Sequence, residues 1–358
     1  MSSDAVAKPR PRLKAKPRPR PARDPGLPTA DVLKLRDTLP RAGWRVVAAK
    51  ELGDHLLSVR FIVLLFVLGV SAAIPLYFAA GEIRAAAPDA SGVPAVFLFL
   101  FTLGAEEIQN QSVFTFLGIV APLLGLAFAF DAVNGERSEG TLPRLLAQPI
   151  HRDDVINGKF AAGLAVIGIV LVAMLAIVSG YGIFRLGIVP EAGEVFRLLA
   201  WTAATFVYVA LWLAFGLLLS VAIRNTATAA LVGFGTWLFL TLFGPLVLSF
   251  IAPILAPVSG ATNEQIYQSA VFQDTITRLL PSNLYQEISV ALLNPSATQV
   301  SAPATIGQAI QANQQIGTLL SLDQSLLIVW PQIVALVALT VLCFGAAYVL
   351  FMRQEVRA

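Results

Sequence analysis

Six stretches of this chain contain no Asp, Glu, Lys, Arg or His: 61–80, 112–130, 160–184, 198–223, 227–255 and 326–352. Each supplies the roughly 20 apolar residues needed to cross a bilayer as a helix. Nothing constrains the fold more, because inside hydrocarbon every backbone polar group must be bonded within the protein, and a continuous apolar window of this length does so as a helix. The prediction is an all-α polytopic membrane protein with six transmembrane helices. Composition agrees. Hydrophobic residues make up 56% of the chain and charged ones 13%, against roughly 25% charged in soluble domains, and the mean hydropathy is +0.74. A seventh apolar run, 93–104, is too short to span. It is expected as an interfacial or re-entrant piece on the outer face, with a docked loop as the alternative.

The distribution of Lys and Arg sets the expected orientation. With the N-terminus cytoplasmic, the inward segments (1–60, 131–159, 224–225 and 353–358) hold 21 of the 25 basic residues. Arg84, Arg185, Arg197 and Arg278 fall outside. This obeys the positive-inside rule and puts both termini in the cytoplasm of a multi-pass protein of the cell (plasma or inner) membrane. The overall net charge of +3 hides an inner sum of +9 and an outer sum of −6. The basic N-terminus has no apolar h-region, so the first span is expected to act as an uncleaved signal. The single cysteine, Cys343, excludes an intrachain disulfide.

Residues 1–28 form a Pro/Arg/Lys-rich tail expected to be disordered. It reinforces topology, with attachment to anionic membrane lipids as a sharper option. Nucleic-acid binding is not expected, since interleaved aromatics are missing. In the elbow region 29–59, the segment 44–60, which runs one residue past it, has helical periodicity, with Trp44, Val47, Ala48, Leu52 and Leu56 on one stripe. It is predicted to be an elbow helix lying along the cytoplasmic interface with that stripe in the acyl boundary. His55 beside the stripe reads as an interfacial polar group rather than a ligand. The membrane domain occupies 60–358, including a connection at 131–159 and an outer loop at 256–325 expected to form a helical cap or docking surface for an extracytoplasmic partner.

The spans exclude several functions. Proton coupling needs ionisable groups near the midplane, and the spans offer only neutral ones such as Thr202, Thr205, Tyr208, Thr236, Thr241, Gln332 and Thr340. No charged ring or filter-like run suggests a channel. HExxH is missing and neither His55 nor His151 lies in a span, which argues against intramembrane proteolysis. Pro122, Pro245 and Pro331 are candidate kinks, and Gly233 and Gly235 candidate close-packing positions. No catalytic residue, cofactor site or metal site is expected in this chain.

The connection 131–159 is far more charged than a hairpin requires: Asp131, Glu136, Arg137, Glu139, Arg144, Arg152, Asp153, Asp154 and Lys159 crowd it. Within it, "LPRLLAQPI" reads as a short amphipathic helix with Leu142, Leu145 and Leu146 on one face, ended by Pro149. Asp153 and Asp154 suit the positive start of a new helix, and Lys159 the headgroup level.

The stretch "FDAVNGERSEGTLPRLLAQPIHRDDVINGKF" strongly resembles the signature of ABC-2 type permeases, the membrane subunits of ABC exporters. The matching positions are Glu136, Arg137, Gly140, Thr141, Leu142, Leu145, Pro149, Ile150, Gly158 and Lys159. His151 stands where such proteins commonly place Ser or Thr, and the large outer loop lies between the last two spans rather than the first two. The resemblance implies an ABC-2 (type V exporter-like) fold whose connection is a coupling helix gripped by a separate ATP-binding subunit. Glu136, Arg137 and Glu139 would then pair with charges on that subunit, and Leu142, Leu145 and Leu146 would fill its groove, with Gly140, Thr141, Pro149 and Ile150 shaping the element. The sequence has no G-x-x-x-x-G-K-[ST] run. ATP and Mg are therefore expected on two copies of the partner, with a second permease subunit completing a homodimer. The substrate would be hydrophobic or amphipathic. The alternatives are force transmission to an extracytoplasmic partner through 256–325, and an ATP-independent membrane scaffold.

Overall fold

In lipid, apolar side chains gain little by hiding from solvent, so helices must associate through close packing and through polar groups placed at their ends. The computed structural model describes residues 43–86, 95–103, 112–142, 150–255, 269, 271–273, 275–295 and 319–354. The expected tail (1–28), the coupling-helix residues Leu145, Leu146 and Pro149, and much of the outer loop lie outside the described residues.

The elbow α1 (Gly43–Leu56) leads into the first span, α2 (Val59–Ala86). A 3-10 turn (Val96–Leu98) and α3 (Phe99–Thr102) precede α4 (Val113–Ala129) and the short α5 (Asn134–Ser138). The third span is α6 (Arg152–Tyr181), extended by a π-turn at Gly182–Leu186. The fourth is α7 (Ala192–Ala222). The fifth runs through α8 (Thr226–Leu238), a π-turn (Phe239–Phe243) and α9 (Gly244–Leu255). α10 (Pro281–Leu293) and the last span, α11 (Leu322–Arg353), complete the fold. Six of these helical stretches are long and apolar enough to cross a membrane. The third begins at Arg152, eight residues before the uncharged window, with Asp153 and Asp154 in its first turn as their acidity suggests.

The fourth span is the hub. Its most apolar window is 72% buried within the chain, whereas those of the fifth and sixth spans are 11% buried and present apolar side chains outward. The hub also explains α10. Tyr285 on α10 stacks on Tyr208 of α7 with ring centroids 4.5 Å apart, and both are fully buried. The Tyr208 hydroxyl donates to the Gly118 carbonyl (2.9 Å) and the Trp201 indole N–H to Ser289 Oγ (3.0 Å). Thus the "SNLYQEISVALL" segment, read from sequence as part of an outer cap, sinks its Leu284, Ile288 and Leu292 into the bundle. The described part of the 93–104 run (95–103) is largely enclosed too. Phe97, Leu98, Leu100 and Phe101 are enclosed, and the Phe97 N–H donates to Glu194 Oε1 (2.9 Å) at the start of α7.

Candidate coupling site

The spans run alternately, so the ends near 59, 138, 152, 222, 226 and 353 gather at one end of the bundle. This charged end is where the sequence concentrates its ionisable groups. Here the helix of the second span breaks at residues 130–133 and restarts as α5. The break frees backbone N–H groups, and the Ser220 hydroxyl of α7 accepts two of them, from Val133 (2.9 Å) and Asn134 (3.2 Å). The Asn134 amide then donates to the Ile223 carbonyl (3.2 Å). α5 is thereby fastened to the end of the hub.

The stop of α5 accounts for the "ERSEGT" letters physically. Gly140 has φ +68°, a left-handed conformation that glycine adopts without steric cost. Its N–H donates to the Arg137 carbonyl (3.2 Å), and the Thr141 N–H to the Glu136 carbonyl (2.9 Å). That pair of bonds is a Schellman stop, which satisfies carbonyls that a helix end otherwise leaves open. The chain then turns sharply, leaving Glu139, Gly140 and Thr141 exposed. Leu142, which the resemblance assigns to a partner's groove, is only 2% exposed and packs within this chain.

Lys159 is where structure and sequence reading part. Expected at the headgroup level, it is 5% exposed and donates to Glu136 Oε1 (2.7 Å) and Glu51 Oε1 (3.1 Å). One ammonium thus joins the elbow, α5 and the third span. A buried cation costs too much unless carboxylates meet it, and two do. Burial pushes the Glu51 carboxyl upward, but the Lys159 and Lys50 ammoniums outweigh this and hold it below its ordinary 4.5. Burial, opposed by nearby carboxylates, pulls His55 below its ordinary 6.5, with its ring edge-on to Phe128 at 5.0 Å.

The elbow follows from the same cluster. Its Val47 is 6% exposed and lies over Gly158, where an added Cβ would come within 2.6 Å of Val47 Cβ and 2.8 Å of the Trp44 carbonyl oxygen. Asp154 serves two helix starts at once. Its Oδ1 accepts the Trp44 N–H (3.0 Å) and its Oδ2 the His151 N–H (3.1 Å). Carboxylates are favoured at the positive ends of helices. The stripe expected to enter the acyl boundary is therefore divided. Val47 is buried against the third span, Leu52 and Leu56 are partly buried against the core, and Trp44 is exposed.

The family whose model is described as "ABC-2 family transporter protein" matches residues 45–356. The chain belongs to the ABC-2 transporter family. It is similar to the probable ABC transporter permease protein NosY of Stutzerimonas stutzeri, 31% identical over 153 residues covering 41% of this chain and 52% of that protein. The protein of the same name from Pseudomonas aeruginosa is 32% identical over 150 residues, covering 40% and 51% respectively. The match spans about half the length of these curated relatives. Membership makes this a multi-pass ABC transporter permease, and in general implies an ATP-binding partner subunit.

Of the permease residues singled out from sequence, the structure brings Glu136, Arg137 and Lys159 into one polar framework. Arg60 pairs with Asp131. Arg137 donates to the Gln354 side chain, and Gln354 in turn donates to the Val221 carbonyl (2.7 Å) and accepts from Arg152 at its backbone oxygen (2.8 Å). Glu136 and Arg137, expected to pair with a partner subunit, are thus engaged within the chain, and Glu139 is the exposed charge of the three. Glu51, Asp154, Ser220 and Gln354 were not singled out as site residues. For Glu51 and Asp154 a signal existed: each is a carboxylate at a helix position facing a counter-charge or helix start. Nothing in the sequence pattern marked Ser220 or Gln354.

At the opposite end, a cavity of about 340 Å³ lies between the second span, the π-turn of the fifth and the start of α10. Thr115, Thr241, Ser282, Asn283 and Gln286 give it a neutral polar lining, and Leu242 and Pro245 an apolar one. Among the described residues there is no cluster of His, Cys, Asp and Glu able to hold a metal.

Proposed function

We propose that this permease is the membrane half of an ATP-driven exporter. Its charged end and both termini face the cytoplasm of the cell membrane, where each of two copies receives one ATP-binding subunit. ATP and Mg belong to that separate subunit. The carrying observation is the exposed Glu139–Thr141 rim on a Schellman turn whose root is tied to the elbow, the third and fourth spans and the last span. A motor in the cytosol can shift membrane helices only through an element joined stiffly to them, and this one is. The neutral spans and the neutral lining of the far cavity support a hydrophobic or amphipathic substrate.

The test uses the permease co-expressed with its ATP-binding subunit. Glu139→Arg is expected to lower co-purification of that subunit about tenfold and to leave the thermal midpoint of the permease unchanged, since Glu139 is exposed and rim charges affect partners rather than folds. Undiminished co-purification and ATPase activity would overturn the assignment of the rim.

A second reading, force transmission to an extracytoplasmic partner through 256–325, is favoured by one observation. Arg197 of the fourth span donates to the carbonyls of Leu292 and Leu320 and to Ser325 Oγ, so movement of that span carries α10 and the start of α11 with it. Export retained after removal of residues 299–315, with a bound partner lost, supports this reading over transport alone.

A further inference from the structure

The charged end has two unlike sides. On one, carboxylates meet cations: Glu51 and Glu136 with Lys159, and Asp131 with Arg60. On the other, Arg137 and Arg152 converge on the end of the last span, with Arg224 near Arg137, and among the described residues none of the three meets a carboxylate. Arg137 and Arg152 both donate to Gln354, a neutral residue, through its side chain and its backbone oxygen. Arg224 stands close enough for its charge to act on Arg137, and follows Ile223, whose carbonyl holds Asn134. Arg152 lies over the Phe351 ring at 5.9 Å, and its Nε–H is buried with no acceptor. Like charges brought together with no counter-charge among the described residues, one with an unmet buried donor, describe a site suited to an anion.

The place of the cluster selects the anion. Arg137 and Arg152 stand at the ends of the second and third spans, Arg224 just past the fourth, and Gln354 just past the last. These are the boundary positions where a spanning helix leaves hydrocarbon and phospholipid phosphates reside. Guanidinium is the side chain suited to phosphate, through paired N–H groups in a fixed plane. We propose that Arg137, Arg152 and Arg224 form a binding site for the phosphate of an anionic phospholipid, seated against the end of the last span. The site does not depend on an ATP-binding subunit, only on the chain spanning a membrane. A bound headgroup would supply the acceptor that Arg152 Nε lacks and offset the repulsion between Arg137 and Arg224.

The experiment is native mass spectrometry of the full chain released from nanodiscs of equimolar phosphatidylcholine and phosphatidylglycerol. The native protein is expected to retain phosphatidylglycerol preferentially. Arg224→Gln, at an exposed position making no hydrogen bond among the described residues, should cut that preference about fivefold, the worth of one arginine at an anionic surface. Arg152→Lys, which keeps the charge but not the planar donor pair, should fall between native and Arg152→Gln. Arg185→Gln, at the opposite end, should change nothing. Equal retention of both lipids by the native protein, or a preference unaltered in Arg224→Gln and Arg152→Gln, overturns the proposal. So does protection of the cluster by millimolar inorganic phosphate with no lipid preference, which would assign it to a free anion. Loss of a co-purified ATP-binding subunit in these variants with lipid retention unchanged would assign it to an acidic protein partner, and equally overturns it.

Discussion

The two ends of the bundle solve the same problem with different chemistry. At the charged end, side chains of formal charge neutralise one another across distant segments: Lys159 with Glu51 and Glu136, and Arg60 with Asp131. At the far end, the buried charges of the fourth span are satisfied by neutral groups, although Arg278 and Glu287 still pair there. Arg197 donates to two backbone carbonyls and a hydroxyl, and Glu194 accepts the N–H groups of Phe97 and Glu191. A network of backbone acceptors is fixed by the fold itself. A network of side-chain charges can be rearranged by any new charge that approaches, such as a docking subunit. The charged end is built to respond and the far end to hold.

The strongest way to break this contrast is Lys159→Met. It leaves two inward-facing carboxylates without their cation, which costs about 3 kcal/mol when a buried pair loses one partner. The drop in thermal midpoint should be largely reversed by adding Glu51→Gln and Glu136→Gln, because the penalty is unpaired charge rather than lost packing. Arg197→Met is the counterpart at the far end, expected to cost about 2 kcal/mol through hydrogen bonds to a charged group. Hydrogen exchange should rise in α10 and at the start of α11. No carboxylate substitution nearby should rescue it, since its acceptors are main-chain carbonyls and Ser325. Rescue at the far end, or its failure at Lys159, would erase the distinction.

Why the spans were legible and the site only partly so has a physical explanation. A continuous apolar run of about 20 residues fits lipid only as a helix, so six uncharged windows suffice to place six helices. The segment 131–160 stood out because its charge had no local reason. Its pairings were hidden, however, because residues 51, 136 and 159 meet through tertiary packing alone. The uncharged window marks only 160–184 as membrane-crossing, while the helix start at Asp153 and Asp154 is legible from their acidity. Helix survives there because Asp154 caps two helix starts and Lys159 finds two carboxylates. α10 looked like part of a polar cap from its amide-rich surroundings. Its buried face was visible in the spacing of Leu284, Ile288 and Leu292, but the receiving surface at Trp201, Thr205 and Tyr208 belongs to another span.

Gly158→Ala asks whether the elbow belongs to the responsive end. The new methyl would stand 2.6 Å from Val47 Cβ and 2.8 Å from the Trp44 carbonyl oxygen. Overpacking of this kind costs about 1–2 kcal/mol. Val47→Ala in the same chain should recover part of it, the remainder reflecting the backbone oxygen, which cannot give way. Trp44 cross-linking to the third span reports the separation directly. An elbow that stays docked in Gly158→Ala would show that its polar ties, Glu51 to Lys159 and the Trp44 N–H to Asp154, outweigh the packing at Gly158.

The gentlest perturbation is pH, and its direction separates the ends. His55 is held below 6.5 chiefly by burial, so the unfolded or undocked elbow takes up a proton first as pH falls through 6.5. Docking is then fully favourable above that value and weakens below it. Glu51, held below 4.5 by Lys159 and Lys50 against the opposing effect of burial, contributes in full above 4.5. That contribution is lost as pH drops through its lowered folded value. Both groups loosen the elbow on acidification, histidine before carboxylate. Hydrogen-exchange protection factors in residues 43–56 should therefore fall below pH 6.5 while those of α10 hold. His55→Phe, which keeps the contact with Phe128, should remove the upper step and leave the lower one. A parallel loss of protection at both ends would mean that the whole bundle opens as one unit, and that the charged end is no more responsive than the other.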